Sequence, residues 1–290
     1  MMIQDPSGDR RVYDLRDIEF DARIFMTYVE QWGEPAAGLA LAREGLEIGR
    51  RRGSRLYGSM MVGNGCICAL RTGDWDWAAG LLEEWLALEP ATIDRAEFFL
   101  DRAILRSLRD EDASADLAEA ARIRLEGRNI WSEFEGYELL AGAWAAFAGG
   151  RPDEARRFGE EHAVENLSGF NLLGCPLLVR SALWAGDAAG AASALAADRL
   201  VARAGIDALD GRGPAALAGY REALRAYRRL GLAFDEAAAA VDMAVLLPSP
   251  ERDAADVGIA IAAARETLQR LGARPFLARL DAARTKLPAG

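Results

Sequence analysis

The cysteines and the single histidine are the first residues whose chemistry could serve a function. Cys66 and Cys68 form a C-x-C pair, and His162 and Cys175 are the distant residues that could complete a metal site with them. Structural zinc sites usually combine C-x₂₋₄-C elements or closely spaced His and Cys pairs, whereas residues two apart on a helix point in different directions. We therefore interpret Cys66 and Cys68 as buried packing residues and expect no metal site.

His162 could in principle act as a general base. It lies at a position of its segment where other segments of the chain carry Ala223 or Ala262, which favours a role in packing or at a helix end. No motif places a serine or cysteine nucleophile beside it, as nucleophilic catalysis would require.

Acidic residues cluster at Asp110, Glu111 and Asp112 and again at Glu83 and Glu84. Glycosidase-like chemistry needs two carboxylates that face each other across a cleft, one of them with a raised pKa. These acids fall at a predicted turn and on a predicted exposed helix face, where carboxylates favour helix N-termini. We expect them to be solvated, and we predict neither an enzyme nor a bound cofactor.

Tryptophan is abundant, and its side chains could fill a core or anchor a partner in a groove. The seven tryptophans are Trp32, Trp75, Trp77, Trp85, Trp131, Trp144 and Trp184. Trp75 and Trp77 lie two apart beside a predicted turn, so we expect that they are not both deeply buried in the same way.

Composition restricts the classes of partner. The net charge is −10, and the short basic cluster Arg50, Arg51, Arg52 and Arg55 is typical of a solvated helix end, so nucleic-acid binding is not expected. No apolar stretch reaches the roughly 20 residues that a membrane span needs. Three cysteines and a polar N-terminal stretch without a signal-peptide core predict a protein of the cytoplasm.

The elements that position these residues are predicted to be helices, because alanine dominates the apolar residues and no alternating strand pattern occurs. A turn phrase recurs between amphipathic runs: WGEPAAG, TGDWDWAAG, GGRPDEA, AGDAAGA and DGRGPAA, with glycines at Gly33, Gly73, Gly150, Gly186 and Gly211. Each glycine is placed to end a helix, and Asp or Pro opens the next one. The long interval between Gly73 and Gly150 predicts one further turn, without glycine, in 109–122.

A second signal is a stripe of three residues on the helix after each turn, in which a small residue is followed by a bulky one and then by another small one. Offsets of four and three place three such residues on one face, where they would pack against the partner helix. The stripe is predicted at Ala216, Tyr220 and Ala223, at Ala255, Ile259 and Ala262, and at Ala78, Leu82 and Trp85, where a tryptophan replaces the last small residue.

Turn, spacing and stripe together resemble the tetratricopeptide (TPR) repeat, whose units are near 34 residues long. This resemblance implies a right-handed α-solenoid of about six helical hairpins over 17–290, after a polar segment 1–16, closed by a helix at 273–286. It also implies a concave face lined by the first helix of each unit. The residues at the family's groove positions are Arg23, Thr27, Met60, Asn64, Tyr137, Trp144 and Arg180. The lysine-based clamp of some TPR proteins is missing, which argues against chaperone-tail binding.

Residues 220–283, with the phrases RRLGLAFDEA and QRLGARPFLARL, resemble the end of the helical region in LuxR-type ATP-dependent transcriptional regulators and in multidomain class III adenylate/guanylate cyclases. This resemblance implies a sensor or partner-binding arm of a bacterial signalling protein. The chain has no phosphate-binding G-x-x-x-x-G-K-[ST] loop, cyclase segment or helix-turn-helix, so nucleotide hydrolysis and DNA binding are not implied. We expect a non-catalytic module that binds a protein, a peptide or a second copy of itself, or alternatively a small-molecule sensor.

Overall fold

The computed structural model of the chain describes residues 34–90, 92–126, 132–165, 180–186, 199–229 and 231–285, together with residues 23, 26, 27 and 177. Within these ranges every regular element is an α-helix, and the all-α prediction is confirmed. The helices are α1 (Pro35–Arg52), α2 (Arg55–Thr72), α3 (Trp75–Leu86), α4 (Thr92–Leu108), α5 (Ser114–Glu126), α6 (Ser132–Ala148), α7 (Pro152–Glu165), α8 (Arg199–Leu209), α9 (Gly213–Arg229), α10 (Ala233–Leu246), α11 (Ser249–Arg252), α12 (Ala255–Leu271) and α13 (Arg274–Thr285). Helices joined by a short turn at a residue with positive φ pack on each other, and α4 also packs directly on α2 and α6.

The predicted turns are present wherever the structure describes them. Gly73, Gly150, Gly186 and Gly211 all have φ between 74° and 86°, the left-handed conformation that glycine adopts without steric cost. The amide of Gly150 donates to the Phe147 carbonyl, and the next amide reaches back to the carbonyl five residues earlier. Gly33 lies outside the described residues.

The glycine-free turn in 109–122 is formed by Asp110. Its φ is 61°, and its amide donates to the Ser107 carbonyl at 3.1 Å. The Glu111 amide then donates to the Arg106 carbonyl at 2.8 Å, which repeats the hydrogen-bond pattern of the Gly150 turn. Aspartate tolerates the left-handed region better than most residues, and this tolerance explains how the turn forms without glycine.

The predicted packing stripes are correct in two helices and wrong in a third. Ala216, Tyr220 and Ala223 are buried in α9, and Ala78, Leu82 and Trp85 are buried in α3. In α12, however, Ala255 and Ala262 are exposed and the side chain of Ile259 is 71% exposed. The face of α12 that packs carries Val257, Ala264, Leu268 and Leu271.

The error in α12 has a physical reason. This helix has alanine or glycine on every face, so a small, bulky, small pattern fits more than one phase of the helical turn. The aliphatic side chains of Val257, Leu268 and Leu271 bury more apolar area than the alanines do, and they decide the phase.

A large side chain replaces the last small residue of the α3 stripe, and α2 makes room for it. The Trp85 indole lies directly over Gly58, so that a Cβ added at Gly58 would overlap the ring. Trp85 also meets Phe98 of α4 edge to face, with ring centroids 6.5 Å apart. The exchange of sizes between Gly58 and Trp85 keeps the helices closely packed.

The C-terminal helices return to α2 and α3 near the start of the described chain. α10 packs on α2, and Phe234 at its start meets Trp75 with ring centroids 5.0 Å apart. The Nε atom of Arg71 lies 3.2 Å from the Asp235 carboxylate. The predicted C-terminal helix is present as α13, and its Phe276 is fully buried. The core is therefore continuous from α2 to α13.

Candidate functional site

The seven residues at the predicted groove positions differ in accessibility. Met60 is 49% exposed, and Arg23, Asn64 and Trp144 are partly exposed. Thr27, Tyr137 and Arg180 are buried. Of this set, Met60 and Asn64 share one face of α2, while the buried members make contacts inside the protein.

The internal contacts of Arg180 are those of a buried ion pair. Its Nε lies 3.1 Å from one carboxylate oxygen of Asp242 in α10, and the Trp184 indole N–H donates to the other oxygen at 2.8 Å. Both charged side chains are at most 2% exposed. Losing either partner would leave a buried charge uncompensated, so this pair fixes α10 against the helical segment 180–184.

The aromatic residues also serve internal packing. Trp75 is buried and Trp77 is partly exposed under the Arg43 guanidinium, as their spacing predicted. Trp144 and Trp184 contact Phe147, and Phe234 and Phe276 complete the same cluster. Trp32 and Trp131 lie outside the described residues.

Cys66 and Cys68 are both free thiols with fully buried side chains. Burial, reinforced by the nearby acids Asp101 and Glu97, raises the pKa of the Cys66 thiol. A thiol held protonated in this way is a poor nucleophile and a poor metal ligand. Cys175 and the side chain of His162 lie outside the described part of the chain, and in that part no three His, Cys, Asp or Glu residues are arranged to hold a metal ion.

The acids and arginines that the sequence placed at exposed sites are exposed, as predicted. Asp110, Glu111, Asp112, Glu83 and Glu84 are all exposed, and so are Arg50, Arg51, Arg52 and Arg55 at the junction of α1 and α2. Two of these residues pair with each other, because the Arg50 guanidinium binds both carboxylate oxygens of Glu84 at 2.7 and 2.8 Å. None of these acids forms a cleft of paired carboxylates.

A different set of acids is at least partly buried between helices in the described structure. Asp94, Glu97 and Asp101 follow one another along α4, and we call these three residues the acid row. Asp94 and Glu97 are partly exposed, whereas Asp101 has no exposed surface. The Tyr137 hydroxyl of α6 donates a hydrogen bond to one oxygen of Asp101, and the other oxygen, Oδ2, is buried without a hydrogen-bond partner.

The acid row lies between α2 and α6. The Glu97 carboxylate rests on the backbone of α2 at Gly63, where an added Cβ would overlap it. Hydrogen bonding with Ser59 of α2 places Asp94 one turn nearer the start of both helices. Gly63 therefore provides the space in which a carboxylate can lie between two closely packed helices.

Burial shifts the protonation of the whole row. It raises the pKa of Glu97 to about 7, with a further increase from the neighbouring Asp94 charge. Burial and the Glu97 charge raise the pKa of Asp101, although the Tyr137 hydrogen bond opposes this shift. Burial also raises the pKa of Asp94, and it raises that of Tyr137 together with the Asp101 charge. Carboxyl groups shifted to near neutral pH are typical of sites that bind or transfer charge.

An exposed apolar strip lies beside the acid row. Leu56 and Met60 lie one turn apart on α2, and their side chains are 65% and 49% exposed. Asn64 continues this strip by another turn and is partly exposed. We call Leu56, Met60 and Asn64, together with the row residues Asp94 and Glu97, the α2–α4 face. Farther along α2, its C-terminal end is covered by α10, through the contact of Arg71 with Asp235.

The sequence contained a signal for the acid row that the predictions above did not use. Asp94, Glu97 and Asp101 are spaced three and four apart within TIDRAEFFLDRAIL, so they lie on one side of α4. The apolar residues Phe98 and Ala103 are buried in the same helix. What the sequence did not contain is the depth of each carboxylate, which depends on how α2 and α6 approach α4.

No family model matches the chain, and no curated protein matches it. None of the described helices is long and apolar enough to cross a membrane.

Proposed function

We propose that this protein is a non-catalytic TPR-like repeat module that binds a protein or peptide partner on the α2–α4 face. The observation that carries the proposal is the pair of exposed apolar side chains, Leu56 and Met60, one turn apart on α2. Adjacent exposed apolar side chains rimmed by polar groups are typical of interaction sites, whereas single ones are common on any surface.

The repeat character supports this proposal. Helical hairpins recur with left-handed turns at Gly73, Asp110, Gly150 and Gly211, and α2, α4 and α6 lie side by side as the first helices of successive units would. Arrays of this kind present a continuous surface made by neighbouring units, and they bind partners along it. A right-handed superhelix of TPR-like units is part of the proposal.

The internal aromatic contacts favour a protein partner over a small ligand in an aromatic groove. Trp75 and Trp144 pack against Phe234, and Trp184 packs against Phe276. Met60 and Asn64, two accessible members of the predicted groove, belong to the aliphatic and acidic α2–α4 face, which suits a chain segment better than a flat aromatic ligand.

The resemblance of residues 220–283 to the arms of bacterial regulators suggests a role for the module. In this proposal the chain belongs to bacterial signalling or transcriptional regulation, and it acts by bringing a partner to an ATPase- or cyclase-type regulator. Helices α9, α10, α12 and α13 carry the resemblance, and α10 packs on α2. In this proposal, a partner that binds α2 acts on the C-terminal helices through α10.

Site-specific photo-crosslinking tests the proposed face. A photoreactive phenylalanine analogue is placed at Met60 and, as controls, at Leu125 in α5 and Ile259 in α12, which are 64% and 71% exposed. The proteins are expressed in cells of the source organism and irradiated. We expect a discrete crosslinked product from position 60 that is absent or several-fold weaker from the other two positions. Equal crosslinking from all three positions, or none from position 60, would reject the α2–α4 face as a docking site.

A further inference from the structure

The charges of α4 are separated onto two sides of the helix. On one side, Arg95 and Arg102 pair with acids of the neighbouring second helices, including Glu119 at 3.2 Å and Asp116 at 2.7 Å. On the other side lie the acids Asp94, Glu97 and Asp101. The groups that act on these acids are Ser59 and Cys66 of α2, Tyr137 of α6 and one another, and none of these groups is a cation.

This arrangement leaves negative charge without a positive counterpart in the described part of the chain. Asp101 is fully buried, and one of its carboxylate oxygens has no hydrogen-bond donor at all. A buried carboxylate that lacks a counter-ion is costly, and it either holds a proton or binds a cation from outside. Glu97 and Asp94 are partly exposed, so a cation can approach the row from solvent at these two residues.

We propose that the acid row is the recognition site for an arginine or lysine side chain of the partner segment that docks on the α2–α4 face. This inference rests on the proposed function, and it specifies the chemistry of the partner. The cationic end of the side chain lies against Glu97 and Asp94, with the Asp101 carboxylate beneath them. Apolar residues of the same segment cover Leu56 and Met60, so the partner sequence combines one basic residue with aliphatic neighbours.

The empty and occupied states differ in protonation. Without a partner, Glu97 retains its proton up to a pH of about 7, because burial disfavours its charged form, and burial also raises the pKa of Asp101. A bound guanidinium or ammonium favours the charged forms and releases those protons. Binding of the basic segment is therefore expected to strengthen as pH rises from 6 to 8.

Fluorescence anisotropy with matched peptides tests this assignment. The probes are fluorescein-labelled octapeptides that carry leucine, valine or methionine around one central arginine, each compared with the same peptide containing neutral citrulline. For the best-binding arginine peptide, we expect citrulline to weaken binding by at least about tenfold, the scale of a charge-assisted hydrogen bond. In Glu97→Gln, and in Asp101→Asn, which keeps an acceptor for Tyr137, this ratio should fall to near one.

The control variant is Glu126→Gln, which removes the same charge from an exposed residue of α5 and should leave the arginine-to-citrulline ratio unchanged. Three results would overturn the assignment. These are equal affinities for the arginine and citrulline peptides, an arginine-to-citrulline affinity ratio in Glu97→Gln that equals that of wild type, and no binding of any arginine peptide at about 1 mM. Photo-crosslinking from position 60 distinguishes a failure of the cation assignment from a failure of the proposed docking face. If Glu97→Gln crosslinks its partner as wild type does, the face binds but the acid row does not recognise a cation.

Discussion

The acid row shows how burial between helices changes the pKa of ordinary carboxyl groups. Asp112 lies exposed at a turn, and hydrogen bonds from Ser114 lower its pKa. Glu97, which rests on Gly63 between two helices, has its pKa raised to about 7. Both residues belong to acid-rich segments, so residue type alone does not distinguish a solvated acid from a functional candidate.

The raised pKa of Glu97 predicts a specific dependence of stability on pH. The group holds its proton more tightly in the folded protein, so its contribution is fully present below its unfolded pKa of 4.5 and is lost as pH rises toward 7. Glu97→Gln removes this loss. We expect the variant to equal wild type near pH 4.5 and to be more stable by about 2–3 kcal/mol at pH 8, in urea unfolding followed by circular dichroism.

The control for this prediction is again Glu126→Gln, whose carboxylate is exposed and paired with Arg122. It should change the free energy of unfolding by less than about 1 kcal/mol at either pH. A Glu97→Gln variant that showed the same stability difference at pH 4.5 and pH 8 would contradict the assigned pKa.

At the scale of elements, glycine has two opposite roles in this chain. Gly150 and Gly211 end helices with left-handed backbone angles, and no heavy atom lies near the position of an added Cβ. Gly58 and Gly63 lie within α2, where the side chains of Trp85 and Glu97 take the space of a Cβ. Gly80 serves neither role, because it is exposed within α3 and has open space around it.

These positions predict that a glycine-to-alanine substitution will raise the free energy of unfolding at one site and lower it at another. Gly80→Ala should stabilise the protein by about 0.5–1 kcal/mol, since alanine favours a helix interior and nothing obstructs its methyl group. Gly150→Ala should destabilise it by about 1–2 kcal/mol, because alanine is strained at a φ of 74°. Thermal or urea unfolding of the two variants beside wild type measures both effects. Changes of the same sign would show that the turn at Gly150 does not constrain the backbone as described.

At the scale of the whole molecule, α10 and α12 close onto the region where α2 ends and α3 begins. Phe234 of α10 is only 4% exposed and contacts Trp75, Trp144 and Phe276. The Arg270 side chain of α12 donates to the Gly73 carbonyl at 3.4 Å, and Arg109 reaches the Leu271 carbonyl at 3.2 Å. In an open array each repeat would contact only its neighbours, whereas the contacts of Phe234 with Trp75, Arg270 with Gly73 and Arg109 with Leu271 each join residues more than 150 positions apart.

This closure predicts a long-range effect of a single substitution. Phe234→Ala should cost about 3–4 kcal/mol, and it should also weaken the amide hydrogen-exchange protection of residues 69–73 at the end of α2. Hydrogen exchange read by mass spectrometry measures both regions in one experiment. Leu224→Ala in α9 is the control, because α9 packs mainly on α8 and α10. Equal protection of residues 69–73 in the Phe234 variant and wild type would mean that the two ends are not coupled.

The sequence by itself determined the helical class, the positions of most turns and the stripe of α9. These features depend on local properties, namely helix propensity, the left-handed tolerance of glycine and aspartate, and the spacing of apolar residues. The turn at Asp110 was predictable from the missing unit between Gly73 and Gly150. The stripe of α12 was not predictable, because alanine and glycine on every face leave its phase to the tertiary packing of Val257 and Leu268.

Tertiary structure alone decided which polar residues became buried and which surface stayed open. Nothing in the spacing of Arg180 and Asp242 indicated an ion pair between residues 62 positions apart. The depth of Asp101 depends on Tyr137 and on the close approach of α2, and the exposure of Met60 depends on which helices pack against α2. Burial sets the pKa of a carboxyl group and the accessibility of an apolar side chain, and burial is a property of helices packed together rather than of any one segment.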